Sequence, residues 1–524
     1  MANDEPTSFS CRVIVRPWLF IVHHSSFILF LVVVAALAVN FRLCMREGWW
    51  GSGPKENGSD FTALYSAGEL ARHGEDIYDY ERSSTPRRPF IYPPMFAVFP
   101  MAPLSLLQHN AALAVYWVLN ILLLFASLWL LRAVLWPTTC RPPSEPRALA
   151  SGPGAAIRHA DPYGRGSEWK EARSQEPSSF WRRPETGLVL AVLVCGRFLN
   201  SNLRLGNANM YILFLLALAL YLLVSNRGFW AGLSVALAMA FKVTPGLFGL
   251  YLLWSRRGRA LAGGALGVAL FFVLVPGAVL GFAENWEMLK AFAQHARGAV
   301  SAQKNTRDTG GGGSGTGLTQ APPASGGGIA VGWKNRPRDS QEAQAVGVSL
   351  RGAMQKLLSP SVALNRREQS EDRTVNVLNL TAQQAARVAD VLSLALLAIT
   401  IALTAPRWAR EGRCPLVLSL GLVTSAMLLI SPLTRKAHLV VLLIPVATLI
   451  ALLQQNMLTG AARRWAWASV LVLGLHGLVF SADLVGQRVS EVVQAAGATT
   501  LSVLLLYVAT GMALRAVKNS AKRC

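Results

Sequence analysis

Charged residues are scarce in this sequence of 524 residues, where they make up 15% of the chain. A soluble globular domain carries about 25%. Hydrophobic residues account for 52% and the mean hydropathy is +0.36, a balance that excludes a soluble enzyme of this size. The apolar residues form continuous blocks such as Trp18–Asn40 and Ala111–Trp136, and about 20 apolar residues are enough to cross the hydrocarbon core of a bilayer. The composition therefore predicts a polytopic membrane protein.

Cysteine is also rare, and the six cysteines are scattered without a Cys-x-x-Cys pair. This pattern excludes a disulfide framework and a cysteine metal site. The predicted outer loops have no convergent set of carboxylates and imidazoles with the spacing of metal ligands. We therefore expect no metal and no other cofactor.

Acidic residues are the minority charge, with 28 Asp and Glu against 50 Lys and Arg and a net charge of +22. No basic stretch is interleaved with aromatic residues, as base stacking would require, so nucleic acid is not an expected partner. In a membrane protein, cytoplasmic loops collect Lys and Arg and thereby fix the orientation. The positive charge is explained by that rule.

The apolar blocks predict about twelve crossings. The stretch Phe229–Trp254 contains Lys242-Val243-Thr244-Pro245, and proline breaks helices, so we expect two half-length helices that meet at Lys242. Ile91–Leu107 is short and contains four prolines, and we interpret it as an amphipathic helix at the membrane surface. The other predicted spans are Trp18–Asn40, Asn110–Arg132, Gly187–Leu203, Asn207–Val224, Leu261–Phe282, Ala386–Ala405, Leu416–Ser431, His438–Leu453, Trp465–Phe480 and Thr500–Leu514.

With these assignments every short basic loop falls on one side, which is then the cytoplasmic side. If Ile91–Leu107 were a crossing, the basic loop that follows the next span would move outside. The arrangement predicts a multi-pass protein of the plasma (inner) membrane with both termini in the cytoplasm. Asp60, Lys304 and His438 should face outside, and Arg165 and Arg257 should face the cytoplasm.

The same assignments divide the chain into segments. The predicted segments are a cytoplasmic N-terminus (1–17), a first helix, outer loop and second helix (18–136), a basic cytoplasmic loop (137–186), transmembrane helices (187–282), a large outer loop (283–385) with a disordered glycine-rich insert (308–329), C-terminal transmembrane helices (386–514) and a cytoplasmic tail (515–524).

Several short motifs follow one another along the chain. Alone, each has an ordinary explanation: Asp60 is a good helix cap, and Tyr92-Pro93-Pro94 is typical of a turn before a helix. In order, they are Asp60-Phe61-x-x-x-Tyr65-x-x-Gly68, Gly74-x-Asp76-x-Tyr78, Tyr92-Pro93-Pro94, Gly206-Asn207-Ala208-Asn209, Lys242-Val243-Thr244-Pro245, and Ser431-Pro432 before His438.

On a polytopic chain, this order resembles glycosyltransferase family 87, the polyprenol-phosphate-mannose-dependent α-mannosyltransferases of the GT-C fold. The resemblance implies an all-α bundle of about twelve transmembrane helices. It also implies two juxtamembrane helices in the first outer loop, at Phe61–His73 and Tyr92–Leu107, with Asp60 as the catalytic residue. The donor would be a sugar, mannose by the resemblance, on a polyprenyl phosphate, and the acceptor a glycolipid or glycan. Where the family has Asn-Gln-Ser-Leu in the last outer loop, this chain has Gly347–Leu350.

The chemistry of such a transfer identifies further candidates. An acceptor hydroxyl needs a base, which Asp60 can supply, and the departing phosphate needs positive charge. The candidates for phosphate binding are Lys242, Arg204, Arg435, Lys436 and His438. The candidates for the substrate pocket are Tyr65, Asp76, Tyr78, Tyr92, Asn207 and Asn209, with Asp76 as a structural partner near Tyr78 by the resemblance.

Two other functions fit a polytopic chain. A transporter or lipid-carrier flippase could use Lys242 at the membrane midplane, because a charged residue in an apolar span is costly and usually functional. Such a protein is often built from two related halves, and no internal repeat is visible in the sequence. A non-catalytic membrane scaffold is the third interpretation.

Overall fold

The computed structural model describes residues 35, 37–45, 60–79, 90–136, 180–305, 347–360, 375–405, 412–432, 434–480 and 482–521, and within these ranges it contains helices and no strand. A helical segment at 37–45 comes first. The helices that follow are α1 (Asp60–Arg72), α2 (Pro94–Leu104), α3 (His109–Leu135), α4 (Pro184–Leu205), α5 (Asn209–Val224), α6 (Gly228–Phe241), α7 (Gly246–Trp254) and α8 (Gly258–Leu280). The second half contains α9 (Phe282–Asn305), α10 (Leu350–Leu358), α11 (Ala382–Thr404), α12 (Arg413–Ile430), α13 (Lys436–Gln454), α14 (Gly460–Val479), α15 (Ala482–Ala495) and α16 (Ala498–Ala521).

Seven of these helices are long and apolar enough to cross a membrane: α3, α4, α8, α11, α12, α13 and α16. Helices α5 and α6 are apolar but shorter. The prediction of an all-α membrane protein is confirmed for the described residues. The number of about twelve crossings stays a prediction.

The bundle has two ends with different chemistry. At one end, charged and polar side chains tie helix termini together: Arg413 Nη2 donates to Ala133 O at 2.8 Å, and Lys518 Nζ donates to Leu403 O at 2.8 Å. We call this the basic end. At the opposite end Asn207 contacts Asp60, and we call it the site end. Helices that run between the two ends therefore hold the site residues on a scaffold of apolar contacts.

The chain breaks at Lys242, as the sequence predicted. Helix α6 ends at Phe241, Lys242 is extended with φ −160° and ψ 129°, and α7 begins after Pro245. Helices α6 and α8 then lie side by side with their backbones in close approach. A Cβ on Gly232 would come within 1.8 Å of Ala260 O, so only glycine fits there. This packing fixes the first half of α6, the helix that ends immediately before Lys242.

Ile91–Leu107 is not the single amphipathic helix that we expected. Phe99, with φ −142° and ψ 112°, interrupts α2. The cause is Pro100, which lacks a backbone donor and drives the residue before it toward extended geometry. Much of α2 is buried, including Phe96 and Met101 with 0% exposure.

Three described helices lie where the sequence pattern assigned none. Helices α9 and α10 fall within the predicted outer loop, and α15 lies between the last two predicted spans. All three are more polar than the spans, so an apolar pattern did not reveal them. The N-terminus (1–17), most of the first span, the loop 137–179 with Arg165, and the glycine-rich insert lie outside the described residues.

Candidate active site

Asp60 is the first residue of α1, one position before the predicted start of that helix. An acidic residue in the first turn suits the positive end of a helix dipole. The next residue, Phe61, is fully buried and its ring lies 5.1 Å from the ring of Tyr116. Because Phe61 anchors the helix start, the partly buried carboxylate of Asp60 is held at the site end of the bundle.

A sharp turn between α4 and α5 places a hydrogen-bond donor next to Asp60. Gly206 ends α4 in the left-handed region, with φ 64°, and a Cβ there would lie 2.7 Å from Phe61 Cβ. Both the positive φ and the close approach require glycine. The turn places Asn207 so that its Nδ2 donates to Asp60 Oδ2 at 2.9 Å.

Three hydrogen bonds then connect Asp60 with Lys242. Lys242 Nζ donates to Asn209 Oδ1 at 2.8 Å, Asn209 Nδ2 donates to Asn207 Oδ1 at 2.5 Å, and Asn207 Nδ2 donates to Asp60. Asn207 and Asn209 are 5% and 2% exposed. We call Asp60, Asn207, Asn209 and Lys242 the amide chain. It links a carboxylate and an ammonium group from distant parts of the sequence through two buried amides.

Two tyrosines border the amide chain. Tyr92 places its ring 5.5 Å from Lys242 Nζ, a cation–π distance, and its hydroxyl donates to Asn207 Oδ1 at 3.5 Å. Tyr78 donates its hydroxyl to Tyr92 O at 2.9 Å, while Asp76 Oδ1 accepts the Tyr78 backbone N–H. Burial first, and then the charge of Asp60, raise the pKa of Tyr92, so its phenol is a neutral donor. Tyr78 thus holds the backbone of Tyr92 in place, and Asp76 holds the backbone of Tyr78.

The start of α13 brings imidazole and guanidinium groups to the same place. Arg435 interacts electrostatically with Lys242 and Tyr92. Its backbone N–H donates to His438 Nδ1 at 3.2 Å, so a neutral His438 carries its proton on Nε2. A cavity of about 10 Å³ lies between His438 and Asn209, and a space of that size holds about one water molecule.

The segment that stands in for the family's Asn-Gln-Ser-Leu motif packs against the loop before Arg435. Val348 N donates to Thr434 O at 2.8 Å, and Ser349 Oγ donates to Pro432 O at 3.3 Å. Ser349 also caps α10 by accepting from Gly352 N. Residues 347–350 therefore support the chain segment that carries Arg435 and His438.

Lys356 is a buried lysine that the sequence pattern did not single out. It is 3% exposed and donates to Gly347 O at 2.8 Å. Burial lowers the pKa of Lys356 from 10.5 to about 8. In an amphipathic helix such as α10 a lysine is typical of a solvated face, and the sequence offers no signal of its burial.

This pKa predicts a pH-dependent stability. Above pH 8 the folded protein releases the Lys356 proton while the unfolded chain keeps it up to about pH 10.5, so stability should rise with pH over that range. Lys356→Met removes the titration. We expect the thermal midpoint of the native protein minus that of Lys356→Met to increase from pH 7.5 to 10 in detergent. A constant difference would contradict the assignment.

The structure does not bring every candidate to the amide chain. The Tyr65 hydroxyl donates to Leu107 O at 2.9 Å and its ring packs on His109, 5.0 Å away. Arg204 is exposed in the last turn of α4. Lys436 interacts electrostatically with His476. In contrast, Asn202, which the sequence analysis passed over, is fully buried and accepts from Asn209 Nδ2 at 3.3 Å.

No group of three or more His, Cys, Asp or Glu side chains is clustered for a metal ion within the described ranges. The expectation of no metal stays a prediction.

Comparison with known proteins gives two matches. The model of glycosyltransferase family 87 matches residues 90–313. This range includes Tyr92, Asn207, Asn209 and Lys242 and begins after Asp60. A polyprenol-phosphate-mannose-dependent alpha-(1-2)-phosphatidylinositol mannoside mannosyltransferase from Mycobacterium tuberculosis is 28% identical over 221 residues, which are 42% of this chain and 43% of that protein.

The chain therefore matches less than half the length of this curated relative. No solved structure matches it. The resemblance inferred from the order of the motifs is confirmed, because residues 90–313 of the chain are similar to glycosyltransferase family 87.

Proposed function

We propose that this protein is an integral-membrane glycosyltransferase that moves a sugar from a polyprenyl phosphate to an acceptor hydroxyl. The observation that carries the proposal is the amide chain, which connects the Asp60 carboxylate with the Lys242 ammonium group. Base and cation lie at one end of the bundle, and three of the four residues fall within the segment that resembles the family.

In the proposed step the acceptor hydroxyl loses its proton to Asp60 as its oxygen forms a bond with the anomeric carbon of the donor. The bond between that carbon and the phosphate oxygen breaks, and polyprenyl phosphate leaves with one more negative charge. A positioned carboxylate is suited to this proton transfer. The Asn207 amide orients Asp60 because it donates to only one of the two carboxylate oxygens.

Positive groups near Asp60 would neutralise the departing phosphate. Lys242 and Arg435 are close enough to interact with each other, and His438 lies next to Arg435. Fixed donors aimed at developing negative charge are usually a large part of catalysis. Arg204 and Lys436 remain candidates for phosphate binding.

The mycobacterial relative supports a proposal for the substrates. The mycobacterial protein is named for a polyprenol-phosphate-mannose donor and a phosphatidylinositol mannoside acceptor. We infer that this chain uses a mannosyl donor of the same class and a glycolipid or glycan acceptor. We also infer a GT-C-like bundle of about twelve crossings, with α1 and α2 as the juxtamembrane helices.

The proposal is tested with purified protein, radiolabelled polyprenyl-phosphate mannose and a lipid extract. Transfer of label to a glycolipid supports it. Unlabelled polyprenyl-phosphate glucose, added as a competitor, tests whether the sugar is mannose. Label that moves across a proteoliposome membrane without covalent transfer would instead indicate a flippase.

A further prediction concerns orientation. We propose that the site end faces outside and the basic end faces the cytoplasm, because the short basic loops then share the cytoplasmic side. Lys290→Cys on α9 and Arg463→Cys on α14, in a cysteine-free background, place exposed thiols at the two ends. An impermeant maleimide added to intact cells should label position 290 and leave position 463 unlabelled. Equal labelling of both would contradict the topology.

A further inference from the structure

A second cavity lies at the basic end, far from the amide chain. It has a volume of about 410 Å³ and lies between the last turns of α11 and α16. The residues that line it are Ile399, Ala402, Leu403, Arg515, Lys518 and Asn519. One wall is thus apolar, the other carries two positive groups and an amide, and none of these lining residues is acidic.

The positive wall is built by the helical repeat of α16. Arg515, Lys518 and Asn519 are spaced i, i+3 and i+4, which places them on one face of a helix. Lys518 is 2% exposed and its Nζ donates to Leu403 O at 2.8 Å. This bond gives a donor to a backbone carbonyl group in the last turn of α11, and it fixes the ammonium group at the cavity wall. Arg515 is exposed beside it.

The position of the cavity along the helices indicates which environment it meets. Helices α11 and α16 are candidate spans of 23 residues, Ala382–Thr404 and Ala498–Ser520. At 1.5 Å per residue each is about 34 Å long, a little more than the thickness of the hydrocarbon core. Their last turns therefore lie at the level of the lipid head groups. Only 22% of the apolar window of α11 is buried, so this helix faces lipid along most of its length.

We infer that this cavity binds the head group of an anionic phospholipid. The phosphate would accept hydrogen bonds from Arg515 and Asn519 and lie near the Lys518 ammonium group. The acyl chains would follow the apolar wall formed by Ile399, Ala402 and Leu403 into the bilayer. Basic pockets between transmembrane helices at the cytoplasmic interface recognise such head groups. The site is separate from the proposed transfer reaction and does not depend on it.

The test measures lipid binding to the full-length protein in a neutral detergent. The protein is titrated with mixed micelles that contain phosphatidylglycerol or phosphatidylcholine, and affinity is measured by thermophoresis. We expect phosphatidylglycerol to bind more tightly. Arg515→Gln should weaken phosphatidylglycerol binding roughly fivefold, the effect of one interfacial charge of about 1 kcal/mol, and leave phosphatidylcholine binding unchanged. Lys518 is kept in this variant because its bond to Leu403 O supports the fold.

Arg463→Gln is the matched control. It removes one exposed arginine from the same end of the bundle, at the start of α14 and outside the cavity. It should bind phosphatidylglycerol as the native protein does. If Arg463→Gln weakens binding as much as Arg515→Gln, the attraction is diffuse and the proposed site is wrong. Competition by soluble glycerol 3-phosphate at the same concentration as the lipid would also overturn it, because a site for free phosphate would not need the acyl chains.

Discussion

Asp60→Asn should reduce sugar transfer by about 10²–10⁴-fold, the usual contribution of a general base, and leave the protein folded. An asparagine has the same size, and its side-chain oxygen can still accept from Asn207 Nδ2. The substitution removes the attraction between the carboxylate and the positive end of the helix dipole, about 0.3–1 kcal/mol, so α1 should still form. An amide cannot take the acceptor's proton. Initial rates of label transfer, with thermal midpoints of both proteins, measure the two effects separately.

Glu69→Gln is the control for this substitution. It makes the same carboxylate-to-amide change on the same helix, nine residues further along, and should leave the rate within a few-fold of native. If Asp60→Asn folds and transfers sugar at a near-native rate, Asp60 has only a structural role at the helix start. The catalytic assignment would then be wrong.

Lys242→Met should lower kcat/KM for the donor by about 10²–10³-fold, the range seen when one group that stabilises developing negative charge is removed. Methionine suits the apolar ends of α6 and α7. The buried Asn209 Oδ1 loses the donor that it now has at 2.8 Å, and we expect about 1–3 kcal/mol lower stability from that loss. The rate should therefore fall far more than the folded fraction. Kinetics at varied donor concentration, together with thermal midpoints, distinguish the two.

Lys290→Met is the control for Lys242→Met, because it makes the same substitution at an exposed lysine. Lys290 is exposed on α9 and pairs with Glu287 at 2.6 Å, an arrangement of little energetic value. Loss of one positive charge at that position should leave donor kinetics unchanged. An equal loss in both variants would show that net charge, and not the position of Lys242, determines donor use.

Most of the membrane-spanning helices could be predicted from the sequence because each is an apolar run with a recognisable break. The predicted span Gly187–Leu203 corresponds to α4 at Pro184–Leu205, and Asn207–Val224 to α5 at Asn209–Val224. The break at Lys242 was visible because Pro245 follows it. The interruption of α2 was not foreseen, since four prolines in a short stretch permit several conformations.

The residues of the site were predictable as motifs, but their contacts were not. Asp60 and Asn207 are 147 positions apart, and no periodicity relates them. The support that Val348 gives to Thr434 depends on a contact between two loops. A polar residue such as Asn202 within an apolar run is a usable signal, because buried amides require partners.

The direction of the bonds in the amide chain has a stereochemical consequence for the proposed reaction. An ammonium group can only donate, so Lys242 fixes the orientation of Asn209, which in turn fixes that of Asn207. Neither amide can rotate without leaving two donors or two acceptors face to face. Asp60 Oδ2 must therefore remain an acceptor throughout the cycle, whether or not the carboxyl group is protonated. In the proposed reaction the acceptor hydroxyl must therefore approach Asp60 from a side that the Asn207 amide does not occupy, either at Oδ1 or at the second lone pair of Oδ2.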